Sequence, residues 1–462
     1  LGKLPKYAPQ GRSAPLVERL DAFKEYFVHL KSPKIIADPM WRKAKSVAVK
    51  RLKLNQAGSP ATLNAVLARG TKENKYNTSS CFPDYRKRNT QEAKRTALRY
   101  ADKAIELKFP YTLGARASMG HTGVDARNIF MSSFALNLHG QRYLQPLQDY
   151  IRSKNLDFFT PWDGWDAVQR VLSQSDKSYL KFGTDFTKMD QHFNKYHALE
   201  VYDVVKYYFR REHWEGLRKS IVYTFEAPII TNLGVLDQDH SMPSGSEWTN
   251  FLETLFDFIL SIYMELKYNL RIKLAMGIGD DQLYLIEGKW VPKSIKWVID
   301  TVVEVFEYAG HEAKAEKQEV SLFTTTFLQR LISTRYSGLD GRLPMAGVYS
   351  LIRNVTSQVF PEFYHNNKEW DKNMFSLRVI QIAENCNNHP LFEWYIKDFV
   401  AKANSNILEF VAQSNSAISS EMERARSIAH LVPNYIVNDN EKPLYEYDTV
   451  RLLREVVTSG GV

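Results

Sequence analysis

The sequence predicts an α+β protein of two or three subdomains, and three observations carry that expectation. At 462 residues the chain is longer than the roughly 250 to 300 residues at which single cores stop growing. Strand-like and helical segments alternate from about 111 to 330, whereas 375–462 carries mainly helical periodicity. Hydrophobic residues at 44% and charged residues at 24% match ordinary globular proteins and exclude disordered and fibrous classes.

Residues 1–110 mix helical patterns, Ala14 to Leu30 and Thr90 to Leu107, with basic loop-like stretches such as Thr71 to Arg88. They read as a wrapping extension. Residues 1–100 hold 22 Lys or Arg against 7 Asp or Glu, and the remainder 39 against 45. Such a front can neutralise phosphates and release counterions, so polyanion binding is expected; a solvated surface and anionic lipid are the alternatives. No fixed-period repeat occurs, which disfavours solenoids and propellers. No apolar run approaches the ~20 residues that span a bilayer, and no basic-then-apolar leader opens the given sequence, so no membrane partner is expected. Cys81 and Cys386 lie far apart, against a disulfide framework and for a reducing compartment. After His389, Pro390 suits a first helical turn, and Leu391, Phe392, Tyr395, Ile396, Phe399 and Val400 recur on one face. The polar stretch from Ala403 to Ser420 reads as a loop between helices.

The strongest local signal is Lys273-Leu-Ala-Met-Gly-Ile-Gly279-Asp280-Asp281-Gln-Leu-Tyr-Leu-Ile286. Apolar residues flank a Gly-Asp-Asp turn, which predicts a hairpin with both aspartates exposed at its tip. Adjacent carboxylates repel, and a divalent cation relieves that repulsion. Taken alone, the tripeptide is a common turn. Upstream, Tyr179 to Phe186 reads as a strand and the next residues as a helix start, placing Asp185 at the strand end and Asp190 one turn beyond. Asp185 and Asp280 on neighbouring strands can bridge two Mg²⁺ ions ~3.5–4 Å apart, as phosphoryl transfer requires. Alternatively, Asp190 caps a helix. Between these segments lies Ser241-Met-Pro-Ser244-Gly245-Ser246-Glu-Trp-Thr249-Asn250 and then a long apolar helix, with Asn250 one turn in. Its loop can present N–H groups and hydroxyls to a phosphate, or simply cap a structural helix.

In order and spacing, Asp185-x-x-x-x-Asp190, Ser244-Gly-x-x-x-Thr249-Asn250 and Gly279-Asp280-Asp281 resemble motifs A, B and C of RNA-dependent RNA polymerases. Asp-Phe-Thr-Lys-Met-Asp-Gln-His-Phe and Met-Pro-Ser-Gly-Ser are most similar to picobirnavirus polymerases, near the partitivirus group. The resemblance covers most of the chain, its motifs lying between 115 and 330. It implies a right hand of fingers, palm with an antiparallel sheet, and helical thumb. In that hand Asp185, Asp280 and Asp281 are catalytic and hold two Mg²⁺, with Mn²⁺ as a substitute, while Asp190 and Asn250 read the ribose. A carboxylate and an amide can jointly engage a 2′-hydroxyl, which separates RNA from DNA. Ser244, Gly245 and Thr249 would contact substrate. Gly114-Ala-Arg116 through Arg127-Asn-Ile-Phe resembles motif F, whose Arg116 and Arg127 would hold the triphosphate; surface ion pairs are the alternative. Gly310-His-Glu-Ala-Lys314-Ala-Glu-Lys317 resembles motif D, with Lys317 as general acid and Lys314 competing. Phe327-Leu-Gln-Arg330 resembles motif E, where Arg330 supports the nascent strand or serves the fold.

On this reading 1–110 is an N-terminal extension bridging fingers and thumb. Fingers span 111–175 with 206–235 inserted, palm 176–205 and 236–332, and thumb and tail 333–462. Partners would be RNA template and nascent RNA, ribonucleoside triphosphates and viral capsid protein. The resemblance further implies a monomer copying a segmented double-stranded RNA genome inside the virion and in host cytoplasm. No His-Glu-x-x-His, Walker loop or serine-nucleophile elbow occurs, so zinc, ATPase and hydrolase chemistries recede. A reverse transcriptase, or a basic RNA-binding structural protein, is the competing expectation.

Overall fold

The structure, a computed structural model, describes residues 15–117, 126–185, 188–315, 318–359, 365, 368–428, 431 and 442–460. The side chains of Ala117, Ala126 and Asp185 lie outside that description. Helix α1 (Pro39–Arg51) starts where Asp38 accepts the Met40 N–H at 2.8 Å. Its Trp41, Ala44 and Ala48 are fully buried in the largest core, and the Trp41 indole donates to Glu200 at 2.8 Å. Within the first 110 residues α1 is thus integral to the main core. The flanking segments do wrap. Leu16, Phe23 and Tyr26 pack with Tyr111, Phe130 and Ile229, and Asn77 donates to the Arg426 carbonyl at 3.0 Å.

Strands β1 (Tyr111–Ala117) and β2 (Ala126–Ser132) pair antiparallel and lead into α2 (Phe134–Arg152). There follow β3 (Leu180–Asp185), α3 (Lys195–Val205), α4 (Trp214–Tyr223), β4 (Ile229–Thr231) and β5 (Gly234–Leu236). Next come α5 (Thr249–Tyr268), the hairpin β6 (Ile272–Ile278) and β7 (Asp281–Ile286), and α6 (Pro292–Tyr308). The short strands β8 (Glu319–Ser321), β9 (Thr324–Phe327), β10 (Arg330–Ser333) and β11 (Gly347–Tyr349) precede a helical end that includes α7 (Lys372–Glu384) and α8 (Asp448–Thr458).

Three sheets result among the described residues: β2-β1-β4-β5, β6-β7-β3-β8 and β11-β10-β9. The middle sheet is antiparallel throughout. Strand alternation explains its double burial. Tyr284 and Ile286 join Phe182 in the main core with α5, while Leu283 and Leu285 face Trp165, Val168 and Phe327. No helix among the described residues is long and apolar enough to cross a membrane, and both cysteines are free and buried.

The C-terminal half differs from its expected reading in two places. The polar stretch 403–420 is mostly helical, with helices at Ser405–Val411 and Asn415–Arg426. Its polar residues include the caps: Asn404 and Ser414 accept backbone N–H groups at 2.9 and 3.2 Å. The helix expected after His389 begins at Phe392 and runs as a π-helix over Tyr395–Val400. That shift leaves Leu391 and Phe399 exposed.

Buried Glu384 holds the start of α8, accepting the Asp448 and Thr449 N–H groups at 3.1 and 2.9 Å and the Thr449 hydroxyl at 2.7 Å. Burial outweighs these bonds and lifts its carboxyl from 4.5 to about 7. The folded state therefore holds an extra proton between those values, and this group's contribution falls as pH rises through about 7. In melts between acidic and neutral pH, Glu384→Gln is expected to flatten the decline of Tm relative to the unaltered chain. Parallel curves would refute the assignment.

Candidate active site

Gly279 and Asp280 form the two-residue loop of the β6–β7 hairpin, closed by the Ile278–Asp281 pair. Gly279 has φ +57°, which glycine adopts without strain, and its N–H donates to the Thr254 hydroxyl on α5 at 2.9 Å. Asp280 is exposed at the tip and Asp281 is half-buried. The register of β3 against β7 sets Asp185 directly opposite Asp281, so three acidic residues share one sheet end. Opposed like charges destabilise a strand pair unless something compensates them.

Beneath the hairpin α5 supplies residues that sequence reasoning missed. Glu253 and Asp257 are buried, and a Cβ at Gly279 would lie 3.6 Å from Glu253 Oε2 and 3.7 Å from Asn250 Nδ2. Burial, then the neighbouring Asp190, holds Glu253 well above the usual carboxylate range; burial and Asp280 do the same for Asp257. Asp190, raised to about 6 by burial, hydrogen-bonds with Glu253 and lies within the field of Arg127. Burial and mutual repulsion thus favour the protonated form in this pair of carboxyls. Their signal was present: Asn250, Glu253 and Asp257 at i, i+3 and i+7 place polar groups along one face of a mostly apolar helix. Tyr26 was unreadable, because only folding brings its buried phenol into the fields of Asp190, Glu253 and Arg127.

Asp190 is the second residue of a short helix, Met189–His192, that has no side-chain cap, so the capping alternative fails. Asn250 is the second residue of α5 rather than one turn in, and its Oδ1 accepts the Trp162 indole N–H at 3.0 Å. Thr249 fastens the loop, its hydroxyl donating to the Pro243 carbonyl at 3.0 Å. Ser244 reaches the Asn128 carbonyl at 3.5 Å. A Cβ on Gly245 would lie 2.0 Å from the Phe130 carbonyl oxygen, so glycine lets this loop press against β2. Glu247 pins the loop from behind. Burial raises its carboxyl to about 7, and Gly140 of α2 leaves it room.

Arg116 and Arg127 are direct cross-strand partners on β1 and β2, and both are exposed. Paired guanidinium groups suit a polyphosphate. Of the two roles open to Arg330, its surroundings favour service to the fold. It is buried, with its guanidinium over the rings of Trp165 at 4.5 Å and Tyr349 at 5.5 Å, and it donates to Asn385 at 3.1 Å. Asp281 has a structural duty too, its Oδ2 accepting the Leu328 N–H at 2.9 Å. Lys317 lies outside the described residues; exposed Lys314 pairs with Glu312 at 3.3 Å.

A pair of divalent cations is the cofactor this arrangement implies. The donors at the hairpin are carboxylate oxygens, the ligand type of Mg²⁺ and Mn²⁺. Asp257 has two buried oxygens, and Glu253 one, without a hydrogen-bond partner among the described residues, which leaves orphaned polar atoms beneath the hairpin. No three potential ligands converge among the described side chains, so the fit rests on Asp280, Asp281 and the backbone position of Asp185.

No protein-family model matches the chain. It is 26% identical over 428 residues to the potential RNA-dependent RNA polymerase of a human picobirnavirus (strain Human/Thailand/Hy005102/-), covering 87% of this chain and 75% of that protein. Against the RNA-directed RNA polymerase of Cryptosporidium parvum virus 1 (strain KSU-1), identity is 22% over 264 residues, 54% of this chain and 49% of the relative. The crystal structure of the RNA-dependent RNA polymerase of a human picobirnavirus superposes with a TM-score of 0.78 at 22% identity, covering 98% of this chain and 86% of that one. Its insertion loop deletion mutant gives 0.77 at 21% identity and the same coverage. With sequence likeness along most of its length and the right-hand fold along nearly all of it, this chain is a homologue of the picobirnavirus RNA-dependent RNA polymerase.

Proposed function

We propose that the chain synthesises RNA from ribonucleoside triphosphates on an RNA template. The observation that carries this reading is the meeting of Asp280 and Asp281 with Asp185 at one sheet end, above the Asp190–Glu253 pair and within the field of Arg127. Asp185, Asp280 and Asp281 would hold two Mg²⁺, or Mn²⁺ in their place. When bound, these ions activate the attacking 3′-hydroxyl and neutralise charge on the leaving pyrophosphate.

The chain's own groups do the rest. Arg116 and Arg127 hold the triphosphate from the β1–β2 hairpin and orient it toward the acidic end. Asp190, paired with Glu253, accepts a hydrogen bond from the 2′-hydroxyl, and Asn250 offers its amide beside them. The loop at Ser244 and Gly245, locked by Thr249, supports the template side. Lys317, or Lys314, returns a proton to the pyrophosphate. This reading extends to replicating and transcribing a segmented double-stranded RNA genome, to capsid contacts, and to work in virion and host cytoplasm.

The test is incorporation of labelled ribonucleotides on a defined single-stranded RNA, with Mg²⁺ supplied or chelated and matched deoxyribonucleotides in parallel. Template-length product that requires metal and ribonucleotides is expected. A preference for deoxyribonucleotides would overturn the Asp190–Glu253 role, and no product from the folded chain, with primer and capsid protein supplied, would overturn the polymerase reading.

A further inference from the structure

The basic front of the sequence is not used by the catalytic site, and its exposed charges gather elsewhere. Helix α1 has no acidic residue. Trp41, Ala44 and Ala48 line its buried face, and Arg42, Lys43, Ser46 and Lys50 its exposed one. The exposed face points away from α5 and α3, the helices that α1 packs on. The stripe continues past the helix. Lys53 is exposed, its carbonyl accepts the Tyr150 hydroxyl, and Lys154 sits 3.8 Å over the Tyr150 ring.

From there the backbone is stitched to the end of α3 and the start of α4. Gln56 and Gly58 donate to the carbonyls of Tyr207 and Tyr208 at 2.7 and 2.8 Å, and Arg210 returns a bond to Gly58 at 3.1 Å. Half-buried rings stand among these cations. Tyr150 and Tyr208 lie 4.9 Å apart, Lys206 is 5.2 to 5.6 Å from the rings of Tyr202, Tyr207 and Trp214, and Arg211 is 5.7 Å from Trp214. Asp203 is neutralised twice, by Lys45 and Lys206. Arg42, Lys43, Lys50, Arg210, Arg211 and Arg218 have no ion-pair partner among the described residues.

We propose that the surface running from α1 to the start of α4 is a second binding site for single-stranded RNA, separate from the catalytic cleft. Unpaired cations track a phosphate backbone, and the interleaved rings offer π-faces on which unstacked bases can lie. A duplex keeps its bases stacked and could use only the charges. A lipid surface would call for apolar residues on the exposed face of α1, where Arg42, Lys43, Ser46 and Lys50 stand instead. The choice of RNA as the polyanion rests on the polymerase reading.

The test compares the full chain with Lys43→Glu/Lys50→Glu/Arg211→Glu, all three exposed, using labelled oligouridylate, an RNA duplex and phosphatidylserine vesicles across a salt series. The unaltered chain is expected to bind oligouridylate more tightly than the duplex, and the variant to bind oligouridylate at least tenfold more weakly, with a log–log salt slope shallower by roughly two. Elongation on a short primed template should stay unchanged. Equal oligouridylate affinity and slope in chain and variant, duplex bound by the unaltered chain as tightly as oligouridylate, or a loss confined to vesicles would overturn the proposal. Failure of synthesis by the unaltered chain would instead strike the polymerase reading, leaving the binding comparison to stand by itself.

Discussion

Asp280→Ala is expected to lower ribonucleotide incorporation by roughly 10³-fold or more, since the loss of a metal-binding carboxylate removes several kcal/mol of transition-state stabilisation and each 1.36 kcal/mol is tenfold. Stability should hold or rise. Asp280 is exposed and its charge raises the carboxyls of Asp190, Glu253 and Asp257, so its removal relieves a strained group of acids. Single-turnover incorporation read beside a thermal melt separates the two effects. Near-normal synthesis in the variant would remove Asp280 from the chemistry, and a collapse of Tm would make it a fold residue.

Gly245→Ala should cost synthesis roughly 10²-fold and also lower Tm, by misplacing a positioned loop rather than deleting a reacting group. The added methyl would stand 2.0 Å from the Phe130 carbonyl oxygen, a backbone atom, so the loop itself must yield. Its displacement is transmitted into α5, which begins at Thr249 and carries Asn250 and Glu253. Gly114→Ala is the control: its methyl meets only the end of the Met131 side chain, at 3.0 Å. Equal rates for the two variants would separate the Gly245 contact from catalysis.

What could be read from sequence was what depends on neighbours in the chain. A glycine before two aspartates with apolar flanks specifies a tight hairpin, and the hairpin is there at Gly279 and Asp280. The long apolar helix after Thr249 and the strand ending at Asp185 follow the same logic of period. Capping residues were harder. Asn404 and Ser414 look like loop in composition yet start helices, because one side chain can satisfy orphan N–H groups and let a new helix begin at once.

Residues whose meaning depends on burial were not legible. Arg330 carries the charge of an RNA contact, and only the enclosing rings of Trp165 and Tyr349 reveal it as a structural cation. Glu253 and Asp257 were passed over because acids in a helix usually face water, whereas α5 buries them under the hairpin. The hairpin expected from sequence is present, and the buried acids beneath it were not foreseen.

Tyr26 carries a consequence for how the active protein comes into being. Its phenol stands in the field of the acidic pair, its carbonyl accepts both the N–H and the hydroxyl of Ser241, and Arg19 nearby bonds Gly114 and Asn128. During synthesis this segment leaves the ribosome long before the helix and hairpin it completes, so it must wait, unpacked, until they arrive. The acidic site therefore cannot close before the hairpin at Gly279 and Asp280 has been made, although the segment carrying Tyr26 is among the first to emerge.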